Sequence, residues 1–198
     1  MPRFAFSTFV KLGHLPSHEL SAEIEKYSSP NSGYDFYKTL RRSARQYAGD
    51  QMNFEEAAHY IQKLKPGPEK TYNLDALTNL RQWIKKHKPK LYSPPEFRIY
   101  TGPQKTFEVR VEPEFTMEFS EILWNVHVFY NHNIKLKPTS TEPALHLLQR
   151  KYIGETEGNA HPAILDLATG KLFGKKWNTN RAARNFAHLV GDIARRFE

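Results

Sequence analysis

Apolar residues in the first half of the chain recur every three or four positions, which is the spacing of a helix with one buried face. This pattern predicts four helices before residue 91. One of them has a clear start, because Asn53 is a favourable N-cap and Glu56 follows three positions later, as in a capping box. The other three are expected to begin near residues that favour caps or turns: Ser17, Asp35 and Asn73.

The apolar period shortens to two after a proline-rich bend near Pro94, which indicates strands instead of helices. Phe107, Val109 and Val111 alternate with charged residues, and the segment 115–119 repeats the alternation. Because short turns join the successive strands, we expect an antiparallel meander. The sequence then predicts a helix that opens at Pro143, a β-hairpin that turns at Gly170, and a last helix from about Thr179 to Phe197.

These elements together predict an α+β fold, with a helical N-terminal region followed by an antiparallel β-meander, a helix, a β-hairpin and a long C-terminal helix. The change of period suggests a boundary between a helical region, 1–92, and an α+β region, 93–198, although the two regions can also form one compact unit. The last helix carries an apolar stripe that we expect to face the core: Phe186, Leu189, Val190, Ile193 and Phe197.

Composition excludes several classes of site. The chain of 198 residues has no cysteine, so it can hold no disulfide, thiolate metal site or cysteine nucleophile. It has no apolar run long enough to span a bilayer, and its N-terminal residues show no signal-peptide cleavage site. We therefore expect a cytoplasmic protein with no membrane partner, and the compact, cysteine-free chain leads us to expect a bacterial or phage source.

The net charge of +8 is concentrated at the two ends of the chain. Residues 1–90 contain 15 lysines and arginines against 9 acidic residues, and residues 161–198 contain 7 against 3. The middle, 91–160, is slightly acidic, with 7 against 9. A basic surface favours polyanions, so nucleic acid is the first partner that the charge indicates, with a protein partner as the other.

Three clusters of basic residues carry much of this charge. The first recurs at helical spacing in the second predicted helix, the second ends the fourth helix, and the third surrounds Trp177 at the start of the last helix, where a helix N-terminus can hold a phosphate. Each cluster alone also has a purely structural explanation, because lysines at a helix C-terminus oppose the helix dipole and a charged face is often only solvated. The predicted nucleic-acid-binding residues are Lys38, Arg41, Arg42, Arg45, Lys85, Lys86, Lys175, Lys176, Arg181 and Arg184.

An alternative interpretation is a metal-dependent nuclease with a restriction-endonuclease-like core. Such a site needs two acids and a basic side chain that converge on a metal, and Glu108 and Asp166 are the candidate acids. However, Ala168 stands two positions after Asp166, where that pattern would place its lysine. The same stretch also fits a tight hairpin with a turn-favouring acid, which is the interpretation we favour.

Other catalytic and cofactor motifs are missing from the sequence. The nine histidines form no HExxH pair, and no GxSxG, GxGxxG or GxxxxGK[ST] motif occurs. We therefore assign no catalytic residue, metal ligand or cofactor. The sequence predicts a non-enzymatic cytoplasmic binding protein whose partner is DNA or RNA, with a metal-dependent nuclease, a protein-interaction module and a small-ligand binder as alternatives.

Overall fold

The structure, a computed structural model, describes residues 1–27, 34–152, 160–174 and 177–197. Helices and strands occur in both halves of this part of the chain. The α-helices are α1 (Phe6–Leu12), α2 (Ser17–Glu25), α3 (Lys38–Ala44), α4 (Phe54–Gln62), α5 (Pro68–His87), α6 (Pro138–Tyr152) and α7 (Thr179–Ala194). The strands are β1 (Arg3–Ala5), β2 (Lys90–Tyr92), β3 (Arg98–Thr101), β4 (Glu108–Val111), β5 (Phe115–Phe119), β6 (Ile122–Phe129), β7 (His161–Asp166) and β8 (Lys171–Phe173).

The predicted α+β class is confirmed, and the best-capped helices begin where the sequence indicates. The amide of Glu56 donates to Asn53 Oδ1 at 2.9 Å, and the amide of Arg181 donates to Asn178 Oδ1 at the same distance. The backbone N–H groups in the first turn of a helix have no partner inside the helix. Each asparagine side chain bonds one of them, which explains why α4 and α7 start there.

Other boundaries differ from the prediction. Helix α5 begins at Pro68 and α6 at Pro138, each several residues earlier than the apolar pattern indicates. A residue in the first helical position has no helical partner for its amide, so a proline there loses no hydrogen bond and the helix can begin at it. The apolar stripe begins several residues further along each helix. Pro143 consequently lies inside α6 instead of opening it. Strand β1 and helix α1 are too short to show a clear period and were not predicted.

The strands form two mixed sheets within the described residues, not a single antiparallel meander. The smaller sheet has the order β1-β4-β3, and the larger has the order β2-β5-β6-β7-β8. Two pairs, β1 with β4 and β6 with β7, are parallel. The meander is divided between β4 and β5, which follow one another in sequence but belong to different sheets.

The residues between β4 and β5 give a physical reason for this division. Pro113 has no amide hydrogen to donate to a neighbouring strand. The next residue, Glu114, is buried and bonds to β6, because its amide donates to the carbonyl of Val126 at 2.9 Å and its carboxylate accepts from the amide of Val128 at 2.7 Å. The chain therefore leaves the smaller sheet at Pro113 and joins the larger one.

Two apolar cores lie on the two faces of the larger sheet. One contains Val126 and Val128 of β6 with residues of α3, α4 and α5, and the other contains Phe129 of β6 with residues of α1, α6 and α7. Both cores include residues from either side of residue 92, and so do both sheets. No helix in the described ranges has the length and apolar character that crossing a membrane requires.

Candidate functional site

The first basic cluster lies on α3 and on the π-helical turn that continues it, Arg45–Gly49. Lys38, Arg41, Arg42 and Arg45 follow the helical spacing of three and four, so they share one side of this segment. Leu40 and Ala44 are buried on the other side, against the larger sheet. The apolar contacts thus turn the four cations away from the core.

Gly49 fixes the position of the π-helical turn against the strands. A Cβ atom at this position would lie 2.7 Å from the carbonyl oxygen of Glu114 and 2.8 Å from Cδ of Pro94. Only a glycine allows the turn to approach the start of β5 so closely. This approach brings Arg45 to Glu112, which directly follows β4, with Nη1 at 3.4 Å from Oε1.

A cavity of about 380 Å³ opens beside this segment, and we call it the arginine cavity. Its lining combines the four cations of the first cluster with one arginine from β1 and one from β4. The carboxylates that also line it are Asp35, Glu112 and Glu114. The six cations of the lining, twice the number of its carboxylates, are Arg3, Lys38, Arg41, Arg42, Arg45 and Arg110.

Ion pairs hold most of these guanidinium groups in place. Glu112 accepts from Arg110 at 2.8 Å as well as facing Arg45, so one carboxylate serves two arginines. Arg41 pairs with Asp35. Arg3 pairs with Glu108, with Nε 2.7 Å from the carboxylate. Since these acids restrain the arginines, the cavity wall is ordered without being neutralised.

Lys38 and Arg42 are the cations of this cavity without an acidic partner among the described residues. Both side chains are exposed. The guanidinium carbon of Arg42 lies 3.6 Å from the centre of the Tyr60 ring, a cation–π contact that orients the group and leaves its charge uncompensated. These two residues supply the excess positive charge that an anion would meet first.

The cavity also reaches a buried pair, His127 and Glu114. Nδ1 of His127 is 3.0 Å from Oε2 of Glu114, and the side chains are 1% and 3% exposed. The distance is that of an ion pair, but the alignment is not that of a hydrogen bond, so neither ring nitrogen has a hydrogen-bond partner among the described residues. The edge contact with Phe6 supplies none. An unpaired buried polar group costs about 1–3 kcal/mol, and native structures contain only a few of them.

The second basic cluster is separate from this cavity. Lys85 and Lys86 are exposed in the last turn of α5, where they oppose the helix dipole. The helix itself is anchored one turn earlier, because the indole nitrogen of Trp83 donates to the carbonyl of Gly170 at 3.0 Å. Neither lysine lines the arginine cavity.

The third basic cluster has a different environment. Arg181 makes a two-bond contact with the buried carboxylate of Glu142 on α6, with Nε 2.8 Å from Oε2. This guanidinium lowers the pKa of Glu142, and the carboxylate raises the pKa of Arg181. Arg184 is exposed on α7. Lys175 and Lys176 lie outside the described residues.

The two acids of the nuclease interpretation lie in different sheets. Both oxygens of Asp166 bond within the hairpin turn, since Oδ1 accepts from the amide of Ala168 at 3.0 Å and Oδ2 from the hydroxyl of Thr169 at 2.6 Å. Gly170 completes the turn with φ of +68°, as the hairpin interpretation predicts. Glu108 pairs with Arg3 instead. The described residues contain no group of three histidine or acidic side chains that could hold a metal.

Sequence reasoning missed Arg3, Arg110, Glu114 and His127 as members of the site. Arg3 reaches it because β1 pairs in parallel with β4, which places residues more than a hundred positions apart side by side. His127 alternates with valines in β6, and this pattern shows only that it faces the other side of the sheet. No local signal in the sequence joins these residues to the first cluster.

Comparison with known proteins assigns this chain to no group. No model of a protein family matches it, and no curated protein sequence is detectably similar to it. The function of the chain must therefore be inferred from the chemistry of the arginine cavity and its surroundings.

Proposed function

We propose that this chain is a non-enzymatic cytoplasmic protein that binds nucleic acid, and that the arginine cavity holds the phosphates. The observation that carries the proposal is the convergence of six cations from β1, β4 and the α3 segment on one cavity, two of them without an acidic partner among the described residues. The absence of cysteine is what favours a cytoplasmic location.

The chemistry of arginine supports phosphate as the bound group. A guanidinium offers two parallel N–H donors that match two oxygens of a phosphate, and its charge strengthens both bonds. Arg3, Arg45 and Arg110 are already oriented by carboxylates, so less side-chain entropy is lost when an anion arrives. Lys38 and Arg42 can contact a phosphate without giving up an existing ion pair.

The test compares two matched double variants that each remove two positive charges. Lys38→Gln with Arg42→Gln changes the cavity. Lys85→Gln with Lys86→Gln changes exposed lysines that the sequence also predicted to bind nucleic acid, but that lie outside the cavity and have no part in this proposal. Binding of fluorescently labelled DNA and RNA, single-stranded and duplex, is measured by anisotropy across a range of salt concentrations. Thermal melting checks that both variants fold.

We expect the cavity variant to bind more weakly and to have a shallower salt dependence. If both residues contact phosphates, the log–log slope becomes smaller by about 1.8 for duplex DNA and about 1.4 for single strands. The Lys85 and Lys86 control should keep the original slope. Equal losses in the two variants, or no loss in the cavity variant, would contradict the proposal.

The same mixtures, incubated with Mg²⁺ or Mn²⁺, test the non-enzymatic part of the proposal. We expect the labelled strands to remain intact. Metal-dependent cleavage that Asp166→Asn abolishes would establish the nuclease alternative instead. No binding to any of these nucleic acids at low salt would leave a protein-interaction module or a small-ligand binder.

A further inference from the structure

A second cavity, of about 340 Å³, adjoins the arginine cavity, and we call it the aromatic cavity. Asp35 and Arg41 line both. The aromatic cavity takes its character from rings contributed by the residues after α2, before α3, in α5 and after β6. These rings belong to Tyr27, Tyr34, Phe36, Tyr37, Tyr72 and Tyr130, and Phe129 and His132 also line the cavity.

The rings meet at angles instead of packing face to face. Tyr37 and Tyr130 are 5.7 Å apart between centroids with their planes at 79°, and Phe36 meets Tyr37 at 4.9 Å and 68°. Tyr72 contacts Phe36 at 6.1 Å with the planes at 42°. The ring of His132 lies closer to Tyr72, at 3.9 Å between centroids with the planes at 59°. Since none of these pairs is a parallel stack, a flat ligand can pack against a ring without first separating two parallel rings.

Three of the tyrosine hydroxyl groups are free to bond a ligand. Those of Tyr37, Tyr72 and Tyr130 have no hydrogen-bond partner among the described residues, whereas the hydroxyl of Tyr27 contacts Thr8. Burial raises the pKa of Tyr37 to about 12, and the nearby Tyr130 and Tyr72 add to the shift. Burial also raises the pKa of Tyr130. A tyrosine hydroxyl can donate one hydrogen bond and accept others.

Arg41 connects the two cavities. Its guanidinium pairs with Asp35 and also donates to the hydroxyl of Ser7 at 3.0 Å, and Ser7 lines the aromatic cavity. A ligand that extends past this ion pair would meet cations at one end and aromatic rings with free hydroxyls at the other. A phosphate attached to a planar, hydrogen-bonding base has this distribution of groups.

We propose that the two cavities together bind one nucleotide, with its phosphate in the arginine cavity and its base among the rings of the aromatic cavity. This inference rests on the proposed function and makes it more specific. A base inside a duplex is already stacked and paired, so the nucleotide is either part of a single strand or free in solution. Arginine contacts alone do not distinguish duplex from single strand.

The test uses substitutions that remove a ring but keep apolar volume. Tyr72→Leu and Tyr130→Leu change the aromatic cavity, and Tyr47→Leu is the matched control, because Tyr47 packs on Phe54 and lines neither cavity. The probes are a labelled single strand, the same sequence as a duplex, a strand with abasic positions, and AMP. Tyr72→Phe keeps the ring and removes only the hydroxyl, so it reports folding and hydrogen bonding separately from stacking.

We expect Tyr72→Leu and Tyr130→Leu to weaken single-strand binding by about 5- to 150-fold, the range for loss of one stacked base. In these variants, the affinity for duplex and the salt slope should stay unchanged. The unaltered protein should bind abasic strands weakly, with about the same affinity as the variants have for intact strands. Tyr47→Leu should bind normally. With the unaltered protein, 2-aminopurine in the strand should lose fluorescence on binding, which checks stacking without any variant.

The outcomes separate this inference from the proposed function. If abasic strands bind as tightly as intact ones and the tyrosine variants bind normally, the inference is wrong, while a loss in the Lys38 and Arg42 variant still supports phosphate binding. If that variant binds normally, the arginine cavity does not hold the phosphates, and both the proposed function and this inference are wrong. Saturable AMP binding that depends on Tyr72, with no gain from a strand, identifies a free nucleotide as the ligand.

Discussion

Arg42 and Arg181 are both exposed arginines on helices, but they have different partners. Arg42 lies over the ring of Tyr60 at the edge of the arginine cavity, whereas Arg181 is bound to the buried carboxylate of Glu142. The spacing of basic residues predicts that neighbours in a cluster share a face. It does not predict that an acid 39 residues away lies opposite one of them, because that depends on how α6 and α7 pack.

This difference predicts that Arg181→Met lowers the melting temperature and that the loss depends on pH. Arg181 lowers the pKa of Glu142 below its ordinary value of 4.5, so the pair stabilises the fold above that pH and the stabilisation is lost as the pH falls through the lower folded value. Melting curves of variant and wild type should therefore differ near neutral pH and converge in acid below 4.5. A difference that stays constant down to the lowest pH would contradict the ion-pair explanation. Arg184→Met, an exposed neighbour, is the control.

At the scale of helices and strands, local signals predict an element when they repeat within it. Helix α7 shows its apolar stripe over 16 residues and has a capping asparagine, so the sequence alone indicates its start and its buried face. Strand β1 has three residues, and its partner β4 is far away in sequence. No repeat within three residues can identify a strand, and nothing near Pro113 indicates which sheet the next strand joins. The types of the longer elements were therefore predictable here, whereas the shortest elements and the strand pairing were not.

The stripe on α7 carries a prediction about stability. Phe186 is 5% exposed and contacts the rings of Phe9, Tyr100 and His146. Phe186→Ala should lower the free energy of unfolding by about 3–5 kcal/mol, because it removes buried apolar surface and leaves a cavity. His188→Ala, an exposed position on the same helix, should change it by less than about 0.5 kcal/mol. Urea denaturation followed by circular dichroism measures both, and similar values for the two variants would mean that Phe186 is not part of the core.

The arrangement of the whole molecule determines what forms the candidate site. The four cations on the α3 segment were predictable from helical spacing, but the cavity exists only because β1, β4 and β6 bring Arg3, Arg110 and His127 to the same place. The aromatic cavity likewise needs α3, α5 and the residues after β6 together. A sequence pattern describes one element at a time, so it can predict the charge that one helix brings to a site. It cannot predict the shape of a cavity that several elements form together.

The same arrangement predicts how the chain unfolds. Both sheets and both apolar cores contain residues from either side of residue 92, so separating the helical region from the rest would expose apolar surface on each. We expect the full chain to unfold in one transition that is the same by circular dichroism and by tryptophan fluorescence, since Trp83 lies in α5 and Trp124 in β6.

A fragment of residues 1–92 should be mainly helical, because α2, α3, α4 and α5 lie within it. It should melt gradually, because β4, β5 and β6 no longer cover its apolar faces. Two separate transitions in the full chain, together with a sharp melt of the fragment, would show instead that 1–92 folds as a domain of its own. In that case the arginine cavity would form only when the two domains dock. Nucleic acid would then bind the full chain and not the fragment, and it would raise the melting temperature of the full chain alone.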